Sequence, residues 1–160
     1  MKLLAQAALL ALVLVVDASL VLTLPVPGGR PVLFAALATA VAVREGPLSG
    51  GAWGFAGGVL LGLLFADARI GARALGGLLA GSVPVSFRRI VFVQRWTGQA
   101  ALGVVSGALY GSALLAVSWL NGELAGGVGG LLPWLALDAL LTGAACPVLF
   151  RVLTAVERRV

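Results

Sequence analysis

The chain has 160 residues, of which 61% are hydrophobic and only 11% charged, and its mean hydropathy is +1.10. Such values exclude a soluble globular domain. The net charge of +5 does not point to nucleic acid either, because the basic residues sit between apolar runs, where they report membrane topology.

There is no histidine, and the single cysteine, Cys146, lies in an apolar run before Pro147. No intrachain disulfide is possible, and no metal or thiol-catalysis spacing exists. The expected architecture is one all-α integral membrane domain over residues 1–160, a bundle of six transmembrane helices with almost no mass outside the bilayer. No cofactor and no metal are expected.

The first apolar run covers about residues 3–24 and carries Gln6, Asp17 and Ser19. Lys2 resembles the start of a signal peptide, but the run is too long for such a segment and reads as a retained helix. Pro25, Pro27, Gly28 and Gly29 end it. The second helix, about residues 31–43, covers only about 20 Å against a hydrocarbon core of about 30 Å. It either crosses a thinned region or forms a re-entrant hairpin with the third.

The third helix, about residues 47–66, opens with Pro47, whose missing N–H costs nothing in a first turn. Glu45 lies just before it, where the helix dipole favours negative charge. Gly50, Gly54, Gly58 and Gly62 recur every four residues. At 100° per residue this stripe drifts about 40° per step and wraps roughly 120° of the helix. It lets another backbone approach closely, which is how helices gain contact energy in lipid. The helix is therefore expected to be a packed centre of the protein. The stripe would serve either a neighbouring helix or a second chain; internal packing is favoured, since the short second helix must lie against something. Gly51 and Gly57 fall off the stripe and are expected to tolerate larger side chains.

The fourth helix, about residues 70–87, has Arg73 in its first turn and Pro84 near its end, where a kink is expected. Arg88, Arg89 and Arg95 then flank a short apolar stretch that reads as interfacial. The fifth helix, about residues 97–120, repeats the four-residue spacing at Gly103, Gly107 and Gly111. A glycine-rich loop over 121–130 leads to the sixth, about residues 131–153, which contains Asp138, Thr142 and Pro147.

Six crossings place both ends on one side. Lys2, Arg44, Arg88, Arg89, Arg95, Arg151, Arg158 and Arg159 fall on that side, and Arg30, Arg69 and Arg73 on the other. Eight against three puts both termini in the cytoplasm, with Trp119 and Trp134 at the outer interface and Trp96 at the inner.

Two carboxylates lie at membrane depth, where an unpartnered charge is costly. Asp17 and Asp138 both fall roughly 10 Å below the outer surface, near Tyr110 and the inward-running Arg73. One reading is an outward-opening polar cavity formed by Asp17, Arg73, Tyr110 and Asp138. The other is structural: one aspartate pairs with Arg73 to fix helix packing, or is protonated. Paired carboxylates serve acid–base chemistry, but no nucleophile, metal site or phosphate loop accompanies them, and an enzyme is not expected. The basic inner face is read either as a site for anionic membrane lipids or as topology alone.

Arg44-Glu45-Gly46-Pro47-Leu48-Ser49-Gly50, followed by Gly54-Phe55, resembles the central signature of the rod shape-determining protein MreD family. The chain length, the short loops, Ile70-Gly71-Ala72-Arg73-Ala74-Leu75 and the arginine-tipped last helix are similar too. Gly62 stands where that family often has an acidic residue, and Arg73 near a position where it often has histidine. The resemblance implies a non-catalytic subunit of the bacterial elongation machinery in the cytoplasmic membrane. Its implied partners are MreC, RodA, a class B penicillin-binding protein and MreB, acting in lateral peptidoglycan synthesis. It also implies a fold similar to the membrane substrate-binding subunits of energy-coupling-factor vitamin transporters, which are the alternative function. Those subunits dock their transporter through alanines four apart in the first helix, as Ala7 and Ala11 are here.

Overall fold

The computed structural model describes residues 2–23, 31–65, 69–87, 95–122 and 131–158, and every regular element over them is helical. In chain order they are α1 (Lys2–Thr23), α2 (Leu33–Glu45), α3 (Pro47–Leu64), α4 (Ile70–Ser82), a 3-10 turn at Pro84–Phe87, α5 (Trp96–Leu120) and α6 (Leu132–Glu157). The expected interfacial stretch at 88–94 and most of the loop over 121–130 lie outside the described residues.

Leu3–Leu20, Pro47–Leu64, Ile70–Phe87, Trp96–Leu120 and Leu132–Glu157 are long and apolar enough to cross a membrane. Their outward surface is that of a membrane protein. Leu4, Leu12, Leu63, Leu120, Leu140 and Val148 are exposed, whereas Gln6, Asp17, Thr39, Ser106 and Thr142 are buried. In lipid the polar groups must find partners inside the bundle, and here they are turned inward.

The packed centre is α2, not the glycine-striped α3. Residues 34 to 42 are all buried, so the helix is enclosed on every side. Its neighbours are α1, α3, α4, α5 and α6. Such a helix must be apolar all round, and five of those nine positions are alanine, small enough to let the surrounding backbones close in. At 13 residues it is too short to be one of the membrane-length helices. The sequence placed the centre on α3 because its stripe is conspicuous, whereas an all-round apolar helix has no periodic signal.

Two glycine-sealed hairpins flank α2. On α3, a methyl group at Gly54 would meet the carbonyl of Gly77 on α4, and one at Gly77 would meet the carbonyl of Gly54. Gly50 faces Gly81 of α4 and Ala42 of α2, Gly58 faces the Arg73 carbonyl, and Gly62 packs on Ile70. The stripe is thus consumed within the chain. Gly57 corrects an expectation: a Cβ there would lie 2.7 Å from Phe34 Cδ2, so it has no room to spare, whereas at Gly51 the nearest atom is Ser82 Cβ at 3.4 Å. In the second hairpin Gly103 faces Cys146 and Gly143, Gly107 faces Ala139 and Thr142, and Gly111 faces Leu135.

The elements begin and end for local reasons. Gly46 alone connects α2 to α3, with φ +110° and ψ 167°, a conformation open essentially to glycine. Pro47 then starts α3. Helix α4 stops at Ser82 rather than at 87, because Pro84 has no N–H to continue it. Helix α6 runs on to Glu157, past the expected 153, and its last residue is anchored to α2 by the ion pair Arg44–Glu157.

Candidate functional site

The polar residues of the interior hold α2 at both ends and at its middle. Helix α2 begins without a side-chain cap of its own, Val32 being the N-cap residue. The first N–H groups of a helix have no intrahelical acceptor, and in a bilayer water cannot supply one. They are met from two other helices. Asp17 of α1 accepts from Leu33 N–H through Oδ1 at 3.1 Å and from Phe34 N–H through Oδ2 at 3.0 Å. Thr142 of α6 accepts from Val32 N–H at 3.0 Å and donates its own hydroxyl to the Asp138 carbonyl at 2.7 Å. A carboxylate here also suits the positive end of the helix dipole.

At the other end Gln6 of α1, 3% exposed, donates to Glu45 at 2.7 Å and to Glu157 of α6 at 3.2 Å. Arg44 pairs with the second oxygen of Glu157. Helix α1 therefore runs antiparallel to α2 and touches both of its ends, and α6, running parallel to α2, also touches both through Thr142 and Glu157.

At the middle a helix defect is repaired. The carbonyl of Ala80 would accept from the residue four on, which is Pro84 and has no N–H. Ser106 of α5 and Thr39 of α2 direct their hydroxyls at that carbonyl, each at 3.1 Å, and both lie within reach of the Ala35 carbonyl. One orphaned acceptor thus ties α2, α4 and α5 together.

Three of the four residues expected around an outward cavity gather at the first turn of α2. Asp17 caps it, Tyr110 stacks edge-on against Phe34 with ring centroids 5.2 Å apart, and Asp138 contributes its carbonyl through Thr142. Asp17 is 5% exposed and Tyr110 4%, so both are packed into the core. The Asp17 carboxylate is taken up by the α2 backbone and not by Arg73. Arg73 stands apart, half-buried, with its guanidinium 5.8 Å from the Phe65 ring centroid and its carbonyl against Gly58. Among the described residues no group of His, Cys, Asp and Glu has the makings of a metal site.

Sequence reasoning missed Ser106, Gln6 and Glu157 as partners of α2, and Thr39 of α2 itself as a partner of the Ala80 carbonyl. Their signal was present, since Thr39, Ser106 and Gln6 are lone polar residues within apolar runs and Glu157 closes one. The outer side of the α3–α4 hairpin carries an apolar groove of about 680 Å³, where Gly51, Ala52 and Ser82 lie between Leu48, Phe55 and Leu78.

Fold and site together define a helical membrane protein whose interior polar groups converge on one short central helix. Compared with family models, curated proteins and solved structures, the chain gives no match.

Proposed function

We propose that this protein is a non-catalytic membrane subunit of the bacterial cell-elongation complex, of the MreD type. It would reside in the cytoplasmic membrane and support MreC, RodA and a class B penicillin-binding protein, with MreB as a further partner. The observation that carries the reading is the segment over 44–50, where the resemblance is specific. Most of its residues have a structural part to play. Arg44 binds Glu157, Glu45 accepts from Gln6, Gly46 makes the one-residue turn, Pro47 opens α3 and Gly50 closes on Ala42 and Gly81. Such a segment suits a scaffold.

The reading also includes cytoplasmic termini. Among the described residues Lys2, Arg44, Arg95, Arg151 and Arg158 fall at one end of the bundle and Arg69 and Arg73 at the other, an asymmetry that favours the first end as cytoplasmic. A phosphatase active only in the periplasm, fused after residue 160, is expected to be silent; strong activity would reverse the topology.

The small-residue faces at 50–62 and 103–111, whose spacing also suits a grip on the MreC helix, are occupied inside the bundle. A partner helix would meet the outer, lipid-facing side chains instead. Purification in mild detergent with retention of MreC and the synthase pair is the expected result. A second reading, the substrate-binding subunit of an energy-coupling-factor transporter, is favoured by Ala7 and Ala11, which are exposed on α1 as a docking face requires. Retention of a nucleotide-hydrolysing module or of a bound vitamin would replace the first reading with this one.

A further inference from the structure

The last turns of α6 are sorted by charge. Glu157 points into the bundle, to Arg44 and Gln6. Arg151 and Arg158, seven residues apart and so on one helix face, are exposed on the outer side. They border a pocket of about 780 Å³ whose opposite wall is the start of α5: Arg95, Trp96 and Thr97. Among the described residues no carboxylate lines it, and its floor is the side of Phe150, which belongs to the core.

The pocket has three properties that together specify a ligand. Three arginines, Arg95, Arg151 and Arg158, line one concavity, and guanidinium forks match phosphate oxygens. The α5 N-terminus adds the positive end of a helix of 25 residues, and its first turn carries no side-chain cap. Finally, the pocket opens at the shared end of α5 and α6, two helices of membrane length, beside Trp96, which is 69% exposed. An exposed tryptophan at such a level marks the headgroup layer. That is where the phosphates of lipids lie, and the apolar Phe150 and Trp96 suit the upper part of an acyl chain.

We propose that the pocket between the start of α5 and the end of α6 binds the phosphate group of an anionic membrane lipid, held by Arg95, Arg151 and Arg158 and flanked by Trp96. This does not depend on the elongation-complex reading. It requires only that the basic end of the bundle face a leaflet that contains anionic lipid.

The test is native mass spectrometry of the full chain in neutral detergent, titrated with phosphatidylglycerol and, separately, with phosphatidylcholine. One phosphatidylglycerol per protein is expected to be retained, in preference to phosphatidylcholine. The variant Arg151→Gln/Arg158→Gln is expected to bind it about 30-fold more weakly, the effect of two basic groups near an anionic surface. Arg69→Gln, at the opposite end, is expected to bind as the parent does. Both arginines are exposed, and circular dichroism melting of the variant establishes that it is folded. Inorganic phosphate is the competing arm: if millimolar phosphate leaves the lipid bound, the ligand is the lipid headgroup, whereas full displacement assigns the pocket to a phosphate compound from solution. Equal retention of the two lipids, or undiminished phosphatidylglycerol binding by a folded double variant, would overturn the proposal.

Discussion

Asp17 and Phe34 lie on different helices, yet the carboxylate of the first accepts the backbone N–H of the second at 3.0 Å, with the N–H of Leu33 bonded beside it at 3.1 Å. One side chain of α1 thereby supplies the cap that α2 cannot provide for itself. Because α2 touches every other helix, the cap organises the whole bundle.

Removing that cap is expected to be among the most damaging single changes. Asp17→Ala leaves the buried Phe34 donor and the part-buried Leu33 donor without this acceptor, at about 1–3 kcal/mol each. A loss of between about 2 and 6 kcal/mol follows, read as a fall in melting temperature in detergent. Asp17→Asn keeps one acceptor oxygen and should lose less than alanine. An alanine variant as stable as the parent would show that the cap is dispensable.

The α3–α4 seam makes a prediction that distinguishes neighbouring glycines. Gly54→Leu and Gly77→Leu each drive Cβ into the other's backbone carbonyl, and Gly57→Leu drives it into Phe34. Overpacking of this kind costs about 1–3 kcal/mol, and more where backbone must move. Gly51→Ala meets only ordinary contact and should be neutral within about 0.5 kcal/mol. Because the seam lies within one chain, the three leucine variants should lose folded monomer in size-exclusion chromatography. A stable monomer carrying leucine at Gly54 would move the seam from the interior to an interface.

Gly46 and Gly71 both have open space around the position a methyl group would take, and alanine should nevertheless act on them with opposite signs. At Gly46 the positive φ in the one-residue turn opposes any L side chain, so Gly46→Ala should cost about 1–3 kcal/mol. Gly71 is exposed within α4, and Gly71→Ala should raise stability by about 0.5–1 kcal/mol. Paired melting curves decide it; a shift in the same direction for both would refute the conformational argument.

Thr39 and Ser106 share the Ala80 carbonyl, so their removal should not be additive. Thr39→Val or Ser106→Ala alone leaves one donor and a modest loss of about 1 kcal/mol. The double variant strands the acceptor and should lose more than the sum. Adding Pro84→Ala restores an N–H four residues on and should recover part of the loss. Strict additivity with no recovery would mean that the two hydroxyls do not serve the carbonyl that Pro84 orphans.

Much of the architecture was legible in residue order. Uninterrupted apolar runs can only be helices in lipid, because every backbone group must be satisfied within its own segment. Proline and glycine mark where such helices stop, as at Gly46, Pro47 and Pro84. The four-residue glycine spacings also announced close backbone contact, since a stripe without side chains has no other use in a membrane.

Residue order alone therefore set the helical class and the presence of two glycine seams, while the ends of α4 and α6 fell elsewhere than expected. Which helix is central, and what the interior polar groups do, emerged only from the packing of the folded chain. A helix surrounded on all sides carries no periodicity to read, so α2 looked merely short. The partners of Asp17, Gln6, Ser106 and Thr142 are backbone or side-chain groups far away in the chain. A carboxylate can meet a basic side chain, a proton or the bare end of another helix with comparable chemical sense. The choice among them at Asp17 was made by the packing that brings the uncapped start of α2 within 3.1 Å of its oxygens.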